Sequence, residues 1–157
     1  MMPITKEEVS YEFKIDLDKY VPKEQKKLSR GEKDELKEII GEHLINNILM
    51  KVSDSISPVT GKKFKKLSED YANKEKNGDR SANLELYGSM LNALEVEPTK
   101  NGIIIGVFDD DEAIKLYNHN VGDTLPKRQV IPDKGQNFTK VVQKGIDEII
   151  KDYLEER

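Results

Sequence analysis

Val9, Tyr11, Phe13, Ile15 and Leu17 alternate strictly with polar residues. A period of two marks a strand with one buried face, so the chain must build a sheet that presents two unlike sides. The position of this segment near the start of the sequence leaves two pairings open, one within the chain and one with a neighbouring chain.

The next pattern has a different period. After a lysine-rich connection over 18–30 that contains Pro22, Ser29 or Arg30 opens a helix predicted to run to about Val52. Leu36, Ile39, Ile40, His43, Leu44, Ile48 and Val52 recur at steps of three and four, which makes one apolar stripe. Residues 53–66 carry turn chemistry, with Ser57-Pro58 and Thr60-Gly61 as its clearest signals. A short helix is expected over 67–76, broken by Asn77-Gly78-Asp79, and another from Leu84 to Leu94. Glu95-Val96-Glu97, a turn through Asn101-Gly102 and the run from Gly102 to Phe108 predict a β-hairpin.

Asp109 to Glu112 charge the start of a helix that holds Ala113, Ile114, Leu116 and Tyr117. His119 is placed in a loop beside Tyr117, and a long loop follows over 120–136. A last helix over Asn137–Glu155 has an apolar face of Phe138, Val141, Val142, Ile146, Ile149, Ile150, Tyr153 and Leu154. Strand, helix, helix, hairpin, helix does not alternate as parallel units do. The predicted class is α+β: a small antiparallel sheet packed against two long amphipathic helices and shorter ones, in one domain over 1–157.

Composition narrows the function. Charged and hydrophobic residues each make up 36% of the chain, a high charged share for a compact monomer, and the net charge is −4. That balance disfavours a dedicated nucleic-acid binder. There is no cysteine, hence no disulfide framework and no thiolate chemistry. No apolar run approaches the ~20 residues that span a bilayer. Met1-Met2-Pro3-Ile4 does not begin a signal peptide, so the expected site of synthesis and residence is the cytoplasm, with no membrane partner.

Few residues point to chemistry. His43 lies on a helix stripe and reads as a packing residue, with no metal ligand at a helical step from it. His119 is the one candidate for a hydrolase built from scattered groups, but nothing nominates its nucleophile or orienting carboxylate. Asp109, Asp110 and Asp111 lack the alternation and the central glycine of a calcium loop. Thr60-Gly61-Lys62-Lys63 lacks the first glycine and the closing hydroxyl of a phosphate loop. Lys62, Lys63, Lys65 and Lys66 around Phe64 are suited to a phosphate backbone, to an acidic protein patch or to plain solvation. No catalytic residue, metal ligand or cofactor is expected.

Three segments taken in order resemble a known family. They are Ser57-Pro58-Val59-Thr60-Gly61-Lys62-Lys63-Phe64 running on to Tyr71-Ala72, then Leu84 to Leu94, then Tyr117-Asn118-His119-Asn120-Val121-Gly122 leading to Leu125-Pro126-Lys127-Arg128-Gln129-Val130-Ile131. The pattern resembles the virion-morphogenesis or tail-completion proteins of tailed bacteriophages, which act at the neck where head and tail join. In that family a leucine and Thr-Gly segment precedes a hairpin, and a Tyr-Ala-x-x-His-x-x-Gly segment leads to Pro-x-Arg and a closing helix. The resemblance covers about residues 57–155. Tyr87 stands where the family often has threonine, the histidine segment is shortened, and Lys127 replaces a common alanine.

The resemblance implies a non-enzymatic virion protein acting in head–tail joining. It would form a ring, hexameric by the tail's symmetry, and be a monomer before assembly. Its partners would be the tail tube or terminator and the head connector. It would reside in the virion neck after assembly in the host cytoplasm, with DNA passing nearby but not specifically bound. Tyr117, His119, Gly122, Pro126 and Arg128 become the interface candidates. Gly122 suits a tight turn, Pro126 stiffens the approach, and Arg128 reaches a carboxylate either across an interface or within its own chain.

Overall fold

The computed structural model describes residues 5–64, 88–121, 128–133 and 135–157. The helix expected over 67–76, the break at 77–79 and the start of the 84–94 helix lie outside them, as do Lys65, Lys66, Gly122 and Pro126. The described elements are β1 (Ser10–Lys14), α1 (Arg30–Ser53), α2 (Gly88–Asn92), β2 (Leu94–Thr99), β3 (Gly102–Val107), α3 (Asp110–Val121) and α4 (Lys140–Glu156).

The sheet is small, open and antiparallel, in the order β1-β3-β2. β3 is the central strand and the most apolar, with Ile103, Ile105 and Val107 fully buried. The register sets Phe13 and Tyr11 of β1 beside Ile103 and Ile105, and Leu94 and Val96 of β2 beside Val107 and Ile105. Alternate residues share one face of a strand, so these side chains form the core side. Glu12, Ile104 and Glu97 align on the other.

The alternation predicted over 9–17 therefore resolves into three pieces. Val9 closes a 3-10 turn over Lys6–Val9 and Leu17 opens another over Leu17–Tyr20, with the paired strand between them. All the same, Val9, Phe13 and Leu17 reach the core.

Helix α1 begins where the sequence predicts. The Ser29 hydroxyl accepts from the Glu32 amide at 3.1 Å, and the Glu32 carboxylate accepts from the Ser29 amide at 2.9 Å. This reciprocal cap satisfies two donors that the first turn leaves over. Leu36, Ile40, Leu44, Ile48 and Val52 are buried along one face. Ile39 falls off that face and is exposed, because its step from Leu36 carries it around the helix.

Helix α1 packs against both β2 and α4. Its contact with the sheet depends on Gly41. A Cβ there would lie 2.4 Å from Val96 Cγ1, so the helix comes closer than any side chain allows. Gly41→Ala should lower stability by about 1 kcal/mol or more, as overpacking outweighs the gain in helix propensity. In a Val96→Ala background the same substitution should cost clearly less, because Cγ1 is gone although the Cβ remains 3.0 Å away. Denaturant midpoints for the four proteins check the difference; a Gly41→Ala effect that ignores Val96 would disprove the close-packing account.

Helix α4 starts at Lys140, with Thr139 as its cap, later than the predicted Asn137. Val142, Ile146, Ile150 and Leu154 are its buried face, while Val141 is exposed. Phe138 is buried just before the helix and meets Tyr11 edge-on at 5.7 Å between ring centres. His43 fills the space over Gly145, where a Cβ would come within 2.6 Å of its ring. Its pKa is lowered by burial, in keeping with a packing role at the helix crossing.

Candidate functional site

Two of the three resemblance segments meet in space. Residues 57–63 and the end of α3 are more than fifty positions apart in sequence, and the extended stretch Arg128–Ile131 joins them.

The first segment is a tight loop. The Ser57 amide donates to Lys62 O and the Gly61 amide to Ser57 O, both at 2.9 Å. The Ser57 hydroxyl accepts from the amides of Val59 and Thr60 at 3.2 Å and donates to Gln129 O at 2.7 Å. A single buried hydroxyl thus shapes the loop and ties it to the third segment. The Thr139 amide donates to Pro58 O at 3.2 Å, which brings the approach to α4 into the same cluster.

The third segment is organised by Asn120. Its Oδ1 accepts from the Val130 amide at 2.8 Å, and its Nδ2 donates to Ile131 O at 3.2 Å. The Gln129 side chain also donates to Ile131 O, at 3.1 Å, and to Gln136 Oε1, at 2.6 Å. The Arg128 amide donates to His119 O at 2.8 Å. Val130 and Ile131 themselves are buried. Backbone placed in the interior must find partners, and side-chain amides supply them to a stretch that belongs to no strand.

His119 is not in a loop, as its sequence position suggested, but inside α3, which continues to Val121. Ala113, Leu116 and Asn120 keep a helical spacing, and all three are buried. The polar character of Asn118, His119 and Asn120 conceals that continuation. His119 is 2% exposed and Arg128 5%. Burial, followed by the neighbouring Arg128 charge, pushes the His119 pKa down to about 4. Its imidazole is therefore neutral at pH 7, well below the range of an efficient general base at that pH.

Tyr117 is half-buried against the core, and Lys62 and Lys63 are exposed on the loop. Lys63 is drawn into a bridge with Ile56. Ser57, Asn120, Gln129 and Gln136 received no role from sequence. The one available signal was Asn120 standing four residues after Leu116, where a helix stripe calls for an apolar side chain. Among the described residues no three His, Asp or Glu side chains gather to hold a metal ion. No helix among them is long and apolar enough to cross a membrane. No family model, curated protein or solved structure matches this chain, so the functional reading rests on the geometry and on the sequence pattern.

Proposed function

We propose that the chain is a structural protein of a tailed-bacteriophage neck, acting in tail completion or head–tail joining as a subunit of a ring. The finer description of the fold belongs to this reading: an α+β subunit whose small sheet is backed by two long amphipathic helices. One observation carries it. The described parts of the segments that bear the resemblance, 57–63, 117–121 and 128–131, are distant in sequence yet meet in one polar cluster whose Ser57, Asn120 and Gln129 are buried.

In this reading the cluster is a rigid base. Asn120, Ser57 and Gln129 fix the path of the chain on either side of 122–127. Gly122 and Pro126, which lie outside the described residues, stay interface candidates by the sequence pattern alone. Arg128 and His119 act from inside the chain, by shaping that base. Tyr117 is the partly exposed member. The mechanism is binding, and a ring gives a small chain many weak contacts at once.

The test is light scattering of the purified protein, alone and mixed with tail tubes or head–connector particles of the encoding phage. Binding to either is the expected result, and Tyr117→Ala should weaken it about tenfold, the usual effect of removing a large contact ring. A protein that ignores both particles would overturn the proposal. Lys62 and Lys63 are exposed, so salt-sensitive DNA binding lost on their charge reversal would favour a nucleic-acid module instead.

A further inference from the structure

A groove of about 570 Å³ opens at the end of the sheet where β1 finishes and the β2–β3 turn begins. Five lysines line it, Lys14, Lys19, Lys33, Lys37 and Lys100, against the two carboxylates Asp16 and Asp18. Its net charge is +3 from these residues, on a chain whose overall charge is −4. Lys33 is paired with Asp18 at 3.0 Å. Among the described residues the other four lysines have no carboxylate within 4.0 Å.

Lys37 sets this groove apart from a solvated basic surface. It is 7% exposed, and its ammonium donates to Thr99 O at 2.7 Å. One backbone carbonyl leaves two of its three protons for water or a docked anion at the groove wall. The groove is electrostatically incomplete.

The complementary charge stands at the other end of the same strand. β3 leaves the groove at Gly102 and ends at Val107, and α3 begins at Asp110. Asp109 is used as a cap, its Oδ1 accepting from the Glu112 amide at 3.1 Å, and Glu112 is paired with Lys115 at 3.2 Å. Asp110 and Asp111 are exposed and make no ion pair among the described residues. A strand of this length separates the two charges by roughly 20 Å, so they do not meet within one molecule.

We propose that the lysine groove of one molecule receives the Asp110–Asp111 helix start of a second copy, so that copies join head to tail. Unlike patches at opposite ends of one subunit make a heterologous contact, which closes into a ring when the rotation permits. This rests on the ring reading above and names the contact that would build the ring, although its test needs no phage component.

The test is sedimentation of the full chain across a wide concentration range at low and high salt, with two charge-reversed variants. One carries Lys19→Glu and Lys100→Glu, the other Asp110→Lys and Asp111→Lys; Lys37 and the Asp109 cap are left intact, and circular dichroism verifies each fold. The natural chain should self-associate at low salt and lose that association as salt screens the contact. Each variant alone should associate at least about tenfold more weakly, the factor expected for losing close charge pairs. An equimolar mixture should regain association, because every groove then finds a run of opposite sign.

A chain that stays monomeric at millimolar concentration and low salt would overturn the proposal. So would association that ignores both reversals, or a groove whose only salt-sensitive ligand is a DNA oligonucleotide. Self-association that obeys the charge swap in a protein indifferent to tail tubes would keep this contact and remove the neck reading. Tube binding by a strict monomer would do the reverse.

Discussion

Between pH 6.5 and about 4, the folded state should lose about 3 kcal/mol of stability through His119 alone. In the unfolded chain this imidazole takes up a proton near its ordinary value of 6.5, whereas in the folded chain burial and the Arg128 charge hold it neutral down to about 4. Below 6.5 the unfolded state thus binds more protons, so stability falls as pH falls, and the loss is complete once both states are protonated. The contribution is nil above pH 7.

Denaturant midpoints taken at several pH values should show this slope in the natural chain and a flatter one in His119→Leu. The comparison concerns the slope, so a general loss of stability in the variant does not obscure it. His43, whose pKa is also lowered, leaves a smaller slope of the same sign in both proteins. Parallel pH profiles for the two proteins would show that His119 is not held neutral by its site.

Asn120→Leu should cost about 2–3 kcal/mol, although it exchanges side chains of similar size and makes the interior more apolar. The Val130 amide would be left buried without its acceptor. The Ile131 amide would lose its longer contact to the same oxygen, at 3.5 Å, while Ile131 O would keep the Gln129 donor. Asn118→Leu, on the same helix but half-buried, should change stability by no more than about 0.5 kcal/mol. Hydrogen exchange gives a second reading, since the Val130 amide should lose protection while the α1 amides keep theirs. Equal effects of the two asparagine substitutions would refute the special role of Asn120.

Periodicity made most of the described skeleton legible. The stripe from Leu36 to Val52, the capped start at Ser29 and the Asn101-Gly102 turn are local signals, and the elements follow them closely. The ends of β1 were less legible, because Val9 and Leu17 continue the alternation in residue type but not in pairing. β3 offers only six residues to pair with.

The polar cluster was largely hidden. Ser57, Asn120 and Gln129 are ordinary surface residues by type, and only the meeting of distant segments buries them. Tyr117, His119 and Arg128 were singled out by pattern, yet two of the three turn inward. The same holds for the groove: Lys37 occupies the buried side of α1 by its spacing from Leu36 and Ile40, but only the β2–β3 turn supplies the carbonyl that holds it.

The register of the sheet also bears on how the chain is made. Ser10 pairs with Gly106 and Lys14 with Gly102, so β1 emerges from the ribosome about ninety residues before its partner. At ordinary rates of synthesis that is a wait of roughly 5–20 s, during which Tyr11 and Phe13 have no strand to lie against. Helix α1 and the β2–β3 hairpin are local and can form as they appear. The pairing of the first strand synthesised thus waits for β3, and a chain halted before Gly102 would display an unpaired edge to every other chain nearby.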